Sequence, residues 1–275
     1  IQGTASVVVA GIFGALRLTG GKMSDHRLVF AGAGASAHGI AELFVSALVE
    51  EGIPVEEARK RIWTCDTKGL AVSDRPGLEG FKKEFARDRA ELASWKVADP
   101  ARISLEETIE NAKPSILVGV SATPGTFTEA MVRKMAELNE RPLIFPISNP
   151  TSKAECTAEQ AVTWSDGRAI VATGSPFAPV VHGGVTHRIG QCNNAFIFPG
   201  IGLGVCVSKA RRVSDGMFLA AAQALATHVT EADIAQSAVY PQIATIRDCS
   251  HSVACAVIRR AVAEGLAGVG FRPRR

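Results

Sequence analysis

The most specific chemical signal in the chain is a glycine spacing. Gly32-Ala33-Gly34-Ala35-Ser36-Ala37 fits GxGxxA. In such a turn Gly32 permits the tight bend, Gly34 lets backbone approach a pyrophosphate, and Ala37 allows a helix to pack closely. The N–H groups of Ala35 and Ser36, at the helix start, face the phosphates. The spacing alone is weak, because 26 glycines in 275 residues produce chance matches. Its place between an apolar run and a helical pattern gives it meaning as a dinucleotide turn; the alternative is a purely structural bend.

Asp66 closes the next apolar run, where a carboxylate commonly meets an adenosine ribose. It lies further from the glycines than the usual interval of about 20 residues, because Glu50 to Arg61 lengthens the crossover. A turn aspartate is the other reading. Ser73, Arg75, Lys82 and Lys83 follow shortly after. A cation near the ribose would favour a 2′-phosphate, and hence NADP over NAD; spacing alone describes a solvated face equally well.

Three further loops hold polar groups: Ser148-Asn149-Pro150-Thr151, Gly174-Ser175-Pro176-Phe177 and Gln191-Cys192-Asn193-Asn194. Loops at the carboxyl ends of parallel strands are where ligands bind. Asparagine offers a donor and an acceptor without charge, which suits orienting an amide or a carboxylate. Asn and Pro are also ordinary turn residues, and on the residues alone that plainer reading prevails. His26, His38, His182, His187, His228 and His251 show no metal-ligand spacing, and His38 reads as packing or surface. No Ser/His/Asp or HExxH pattern emerges, so no catalytic and no metal residue is assigned.

The elements that must position these groups follow from periodicity. Thr4 to Leu18 is a packed helix stopped by Gly20-Gly21, and Arg27 to Ala31 is a buried strand feeding the glycine turn. Ile40 to Glu51 is a helix, and Arg61 to Cys65 a second strand. Ser104 with Glu107 opens a helix as a capping box. Strands are expected over Pro114 to Val120, Pro142 to Ile147 and Ala169 to Thr173, with helices over Thr128 to Leu138 and Thr157 to Val162 between them. From Phe196 to Gly270 few strand signals remain, so a helical section packing on the sheet is expected. The fold class is α/β: one domain over residues 1–275, Rossmann-like and doubly wound, with a mainly parallel sheet and a helical C-terminal section.

Composition narrows the partners. The chain is 47% hydrophobic and 21% charged, which fits a globular protein with a sizeable core. A net charge of +3 is too small to argue for nucleic acid. The basic residues are dispersed apart from Lys82-Lys83 and the tail Arg272, Arg274, Arg275. The longest apolar stretch, Ala5 to Leu16, falls short of the roughly 20 residues a membrane crossing needs. Neither nucleic acid nor membrane is expected as a partner. Six cysteines without CxxC spacing read as buried small hydrophobes in a reducing cytoplasm. The start at Ile1 without a leader reads as an internal fragment.

Several strings taken in order carry a resemblance. Ile1-Gln2-Gly3-Thr4-Ala5, Gly32-Ala33-Gly34, Ile147-Ser148-Asn149-Pro150-Thr151 with Ala154-Glu155-Cys156-Thr157, Thr173-Gly174-Ser175-Pro176-Phe177, and Asn193-Asn194 with Ile197-Phe198-Pro199-Gly200 resemble the malic enzymes over nearly the whole chain. That family decarboxylates L-malate oxidatively to pyruvate and CO2, reduces NAD or NADP, and uses Mn2+ or Mg2+. The resemblance implies that Gly32, Gly34 and Ala37 shape the pyrophosphate site, that Asp66 meets the ribose, and that Thr4, Val120 and Ser121 border the cofactor. Asn149 and Asn194 match asparagines that touch nicotinamide and substrate. Lys82 matches the lysine of NADP-preferring members, which tips the expected cofactor to NADP.

The metal-binding aspartate expected just before the first string, the other acidic ligands, and the acid/base tyrosine and lysine have no counterpart here; Tyr240 does not match. The resemblance therefore implies a cofactor-binding domain that turns over no malate alone. It also implies a homo-oligomer for the full-length enzyme. The rival readings are the cofactor domain of an amino-acid-type dehydrogenase and a dinucleotide-sensing module without chemistry.

Overall fold

The computed structural model describes residues 1–78 and 80–268. The basic tail Arg272, Arg274, Arg275 and the last two residues of the section ending at Gly270 lie outside them.

The chain opens with α1 (Gln2–Thr19), which is apolar around most of its circumference and correspondingly buried. β1 (Leu28–Ala31) leads through the glycine turn into α2 (Ala35–Glu50). The lengthened crossover contains a short helix, α3 (Val55–Arg59), before β2 (Ile62–Asp66). β3 (Gly69–Leu70) folds back antiparallel on β2, and α4 (Gly80–Lys83) follows.

The second half of the sheet alternates α5 (Leu105–Ala112), β4 (Ile116–Gly119), α6 (Glu129–Leu138), β5 (Leu143–Pro146), α7 (Ala158–Trp164) and β6 (Ile170–Thr173). The Ser104/Glu107 capping box is formed, and Thr157 with Gln160 forms another at α7. Each satisfies N–H groups that a helix start leaves without partners.

A small hairpin, β7 (Val180–His182) with β8 (Val185–His187), stands apart from the main sheet. β9 (Gly190–Gln191) then pairs parallel with β6. The last part is helical, as expected: α8 (Phe198–Ser208), α9 (Asp215–Ala226), α10 (Glu231–Ile234) and α11 (Ile246–Ala263). Its packing differs from the expectation, since α9 lies against α1 and α2 and α11 against α8 and α9. α1 and α2 are themselves apolar enough to hold the layer between this section and the strands.

The main sheet runs β3-β2-β1-β4-β5-β6-β9, parallel except for β3. Strand residues alternate between two cores: Leu28 and Phe30 face α1 and α2, whereas Val29 and Ala31 face α5, α6 and α7. From β1 the chain builds outward to β2, then returns to β4 on the other side. That reversal opens a crevice at the carboxyl edge between β1 and β4. Among the described residues no helix is long and apolar enough to cross a membrane.

Candidate cofactor site

The glycine turn sits in this crevice. Gly32 has φ +113, a region side chains avoid, and a Cβ there would lie 2.7 Å from the Val120 carbonyl oxygen. Its N–H donates to the Cys65 carbonyl at 2.7 Å, so the bend is pinned between the ends of β2 and β4. Gly34, the residue capping α2, is exposed, and a Cβ on it would meet nothing within 4 Å. Among the described residues no side chain caps α2, and no acidic residue occupies its first turn. The first N–H groups of that helix, with the positive end of its dipole, are thus left for an anion.

A cavity of about 630 Å³ opens in front of this terminus, bordered by Gly32, Gly34, Asp66, Arg75, Val120 and Ser121, with Lys82 on its wall. Ala35 is exposed and Ser36 half-buried at the helix start. Ala37 is fully buried and packs in the core.

Asp66 sits at the far end. The Arg75 guanidinium grips it with Nη1 to Oδ1 at 3.0 Å and Nη2 to Oδ2 at 2.6 Å, and Lys82 Nζ lies 3.4 Å from Oδ2. The Lys68 N–H also donates to Oδ1 at 2.9 Å. Burial pushes the carboxyl up, but the Lys68 amide, the Arg75 guanidinium and the Lys82 ammonium outweigh it and hold the pKa below the usual aspartate value. Of the four candidates after Asp66, Arg75 and Lys82 reach the cavity. Ser73 and Lys83 are exposed and do not line it.

This depression fixes a sign. As pH falls, the unfolded chain takes up the Asp66 proton before the folded one does, so the group stabilises the fold at neutral pH. That contribution is lost as pH drops through the depressed value. Asp66→Asn is expected to lower the melting temperature at about pH 7 and to matter progressively less below about pH 4, read by thermal unfolding across pH.

A second cavity, of about 120 Å³, gathers Thr4, Asn149, Cys192 and Asn194. Residues as far apart in sequence as 4 and 194 therefore share one wall. Asn149 precedes a cis proline and accepts a hydrogen bond from Ser175 Oγ at 2.6 Å. The Cys192 thiol is pushed up to about 12 by burial, which removes it as a nucleophile. Tyr240 is fully buried, donates to the Val7 carbonyl at 2.8 Å and is held well above the usual phenol value by burial; it is a structural residue.

Between the two cavities lies a group to which the sequence reading gave no role. Glu155 is fully buried, and its Oε1 accepts from Ser121 N–H at 2.8 Å, Ser121 Oγ at 2.9 Å and Ser148 Oγ at 2.6 Å. A charged residue flanked by Ala154 and Cys156, just before a capping threonine, was the available signal.

Among the described residues one set of three offers metal-ligand atoms close together: His38, Glu42 and Glu84. Arg59 already bonds Glu42 at 3.1 Å and reaches Glu84 at 3.8 Å, and none of the three lines either of the two cavities. These residues do not fit the Mn2+ or Mg2+ that the resemblance implies at a reacting carbonyl.

Comparison with known proteins decides the family. The family model described as "Malic enzyme, NAD binding domain" matches residues 1–262. The chain belongs to the malic enzyme family. It is 49% identical over 269 residues to the chloroplastic NADP-dependent malic enzyme 4 of Arabidopsis thaliana, covering 97% of this chain and 40% of that one. It is 46% identical over 275 residues to the mitochondrial NADP-dependent malic enzyme of Homo sapiens, covering all of this chain and 44% of that one. Among solved structures, malic enzyme from Pyrococcus horikoshii superposes with a TM-score of 0.75 at 26% identity, covering 98% of this chain and 56% of that one.

This malic enzyme chain therefore spans less than half the length of the curated relatives it matches. The cytoplasmic expectation is overturned, because relatives from Arabidopsis, maize and human are named chloroplastic or mitochondrial. All six cysteines are free.

Proposed function

We propose that this chain binds NADP along the β1/β4 crevice and supplies the cofactor-holding part of a malate-decarboxylating oxidoreductase. The observation that carries the reading is the arrangement at the two ends of the larger cavity. An uncapped helix start offers N–H groups to the pyrophosphate, and an Asp66–Arg75–Lys82 cluster meets the ribose. That cluster sums to one positive charge, which suits a 2′-phosphate better than a neutral hydroxyl. The names of the relatives, NADP-dependent malic enzymes, agree with it.

When bound, the nicotinamide supplies a hydride acceptor. The chain's own groups do the holding. Thr4, Asn149 and Asn194 converge on the smaller cavity, where their amides and hydroxyl orient a carboxamide or a substrate carboxylate. In this proposal the metal-binding carboxylates and the acid/base pair belong to the part of the relatives' length that the chain does not span.

Titration with NADP and NAD side by side tests the reading. The expected result is NADP binding tighter by about tenfold or more, a difference of about 1.4 kcal/mol. Malate with Mn2+ is expected to yield no NADPH from the purified chain. Equal affinities would remove the NADP assignment, failure of both to bind would remove the cofactor site, and malate-dependent NADPH formation would show that the chain is catalytically complete.

A further inference from the structure

Glu155 is a fully buried carboxylate with no cation at ion-pair distance among the described residues. Burying a charge is costly unless hydrogen bonds replace its water. Here one oxygen takes all three donors, while Oε2 has no hydrogen-bond partner among the described residues. Gly119, the last residue of β4, makes room: a Cβ on it would collide with the Glu155 carboxyl group. The surroundings of this charge therefore spend a side-chain position at the end of a central strand to admit it.

The donors come from two different loops. Ser121 follows β4 and borders the large cavity; Ser148 follows β5 and directly precedes Asn149 of the small one. Ser148 Oγ, having donated to Glu155, accepts the Ala122 N–H at 2.9 Å. Ala122 has φ +54, a left-handed conformation that a residue with a side chain adopts only under strain. Ser121 Oγ in turn accepts the Thr123 N–H at 3.2 Å, and the Glu155 carbonyl accepts the Phe127 N–H at 3.1 Å. Both ends of the loop from 121 to 127 are thus tied to this one residue.

We propose that Glu155 is a positioning residue that locks the Ser121 and Ser148 loops in a single register, so that the cavity for the adenosine and phosphate end and the asparagine pocket keep a fixed separation. The proposal rests on the reading of the crevice as an NADP site. Glu155 touches no ligand itself. It matters for a ligand long enough to span both cavities and is indifferent to one that occupies only the Asp66 end.

That difference sets the test. NADP and 2′,5′-ADP, which lacks the nicotinamide half, are titrated into the full chain and its variants, with melting temperature as a check on folding. Glu155→Ala is expected to weaken NADP by about tenfold and 2′,5′-ADP by less than about twofold. Glu155→Gln keeps an acceptor at the same place and restores most of the loss; Ser148→Ala, which cuts one tie, falls between wild type and Glu155→Ala. If Glu155→Ala fails to fold, Ser148→Ala and Glu155→Gln carry the comparison. Equal loss of both ligands, or no loss of NADP in a folded Glu155→Ala or Ser148→Ala chain, overturns the proposal while leaving the cofactor site standing. A wild-type chain that binds neither ligand overturns the cofactor reading and this one with it.

Discussion

Replacing Gly32 by alanine is expected to abolish useful NADP binding, with a loss of about 100-fold or more, and to cost the fold about 2–4 kcal/mol. Two independent terms add. The backbone at Gly32 has φ +113, which an alanine adopts only under strain. The new methyl would also sit 2.7 Å from the Val120 carbonyl oxygen, 2.8 Å from its carbon and 3.1 Å from the Ser121 nitrogen. These are backbone atoms of the neighbouring strand end, so no side chain can swing aside. The turn must move, and with it the first N–H groups of α2.

Gly34→Ala is the informative companion. Its φ of −87 suits any residue, and a Cβ there meets nothing within 4 Å. The fold is expected to tolerate it with little change in melting temperature, while the methyl intrudes where a pyrophosphate would lie. Fluorescence titration alongside thermal unfolding separates the two: affinity and stability fall together at Gly32, and affinity alone falls at Gly34. A Gly32→Ala chain that melts and binds like wild type would refute the account of the turn.

Much of this architecture was legible because local signals and the global fold agree. Leu28 to Ala31 is a continuous apolar run, which is what a strand buried on both faces requires, and the glycines follow at once. Ser104/Glu107 and Thr157/Gln160 announce their helices through side chains that satisfy backbone groups within three residues, so nothing distant is needed to read them. The short pieces were not read. β3 and β9 are two residues each and exist because a neighbouring strand offers an edge, a property of the neighbour's position rather than of their own sequence. The Val180–His187 hairpin did carry a sign, Gly183-Gly184 between valines, which is ordinary turn chemistry for two short strands.

The site divides in the same way. Gly32, Gly34 and Asp66 are adjacent to strand ends in sequence, so reading the strands found them. Thr4 and Asn194 meet through the packing of α1 against the turn that begins at Asn194; Thr4 was placed by family resemblance alone, while Asn194 lay in a polar loop whose residues by themselves read as an ordinary turn. Glu155 escaped because a glutamate between small residues looks like any surface charge until burial is known. Arg75 was one of four candidates, and what singles it out is a grip on Asp66 that spacing cannot show.

That grip yields the second large effect. Arg75→Ala is expected to weaken NADP by about 100-fold, while NAD changes by less than about fivefold or improves. The bidentate pair is the stronger of the two side-chain contacts to Asp66, and its guanidinium is mostly buried, with the side chain 12% exposed, so solvent screens it little. Without it, the cluster falls from one positive charge to none, and the Asp66 carboxylate is left facing an incoming 2′-phosphate of like charge. The same carboxylate, released from the guanidinium, is free to accept a hydrogen bond from the 2′-hydroxyl of NAD, which is the usual partnership of an acidic residue at this strand end. Lys82 reaches Asp66 by a longer contact of 3.4 Å, and Lys82→Ala is expected to cost NADP about tenfold. Paired titrations of the two variants with both dinucleotides read the outcome directly. If Arg75→Ala weakens NADP and NAD to the same extent, the guanidinium serves to hold Asp66 in place and plays no part in choosing between them.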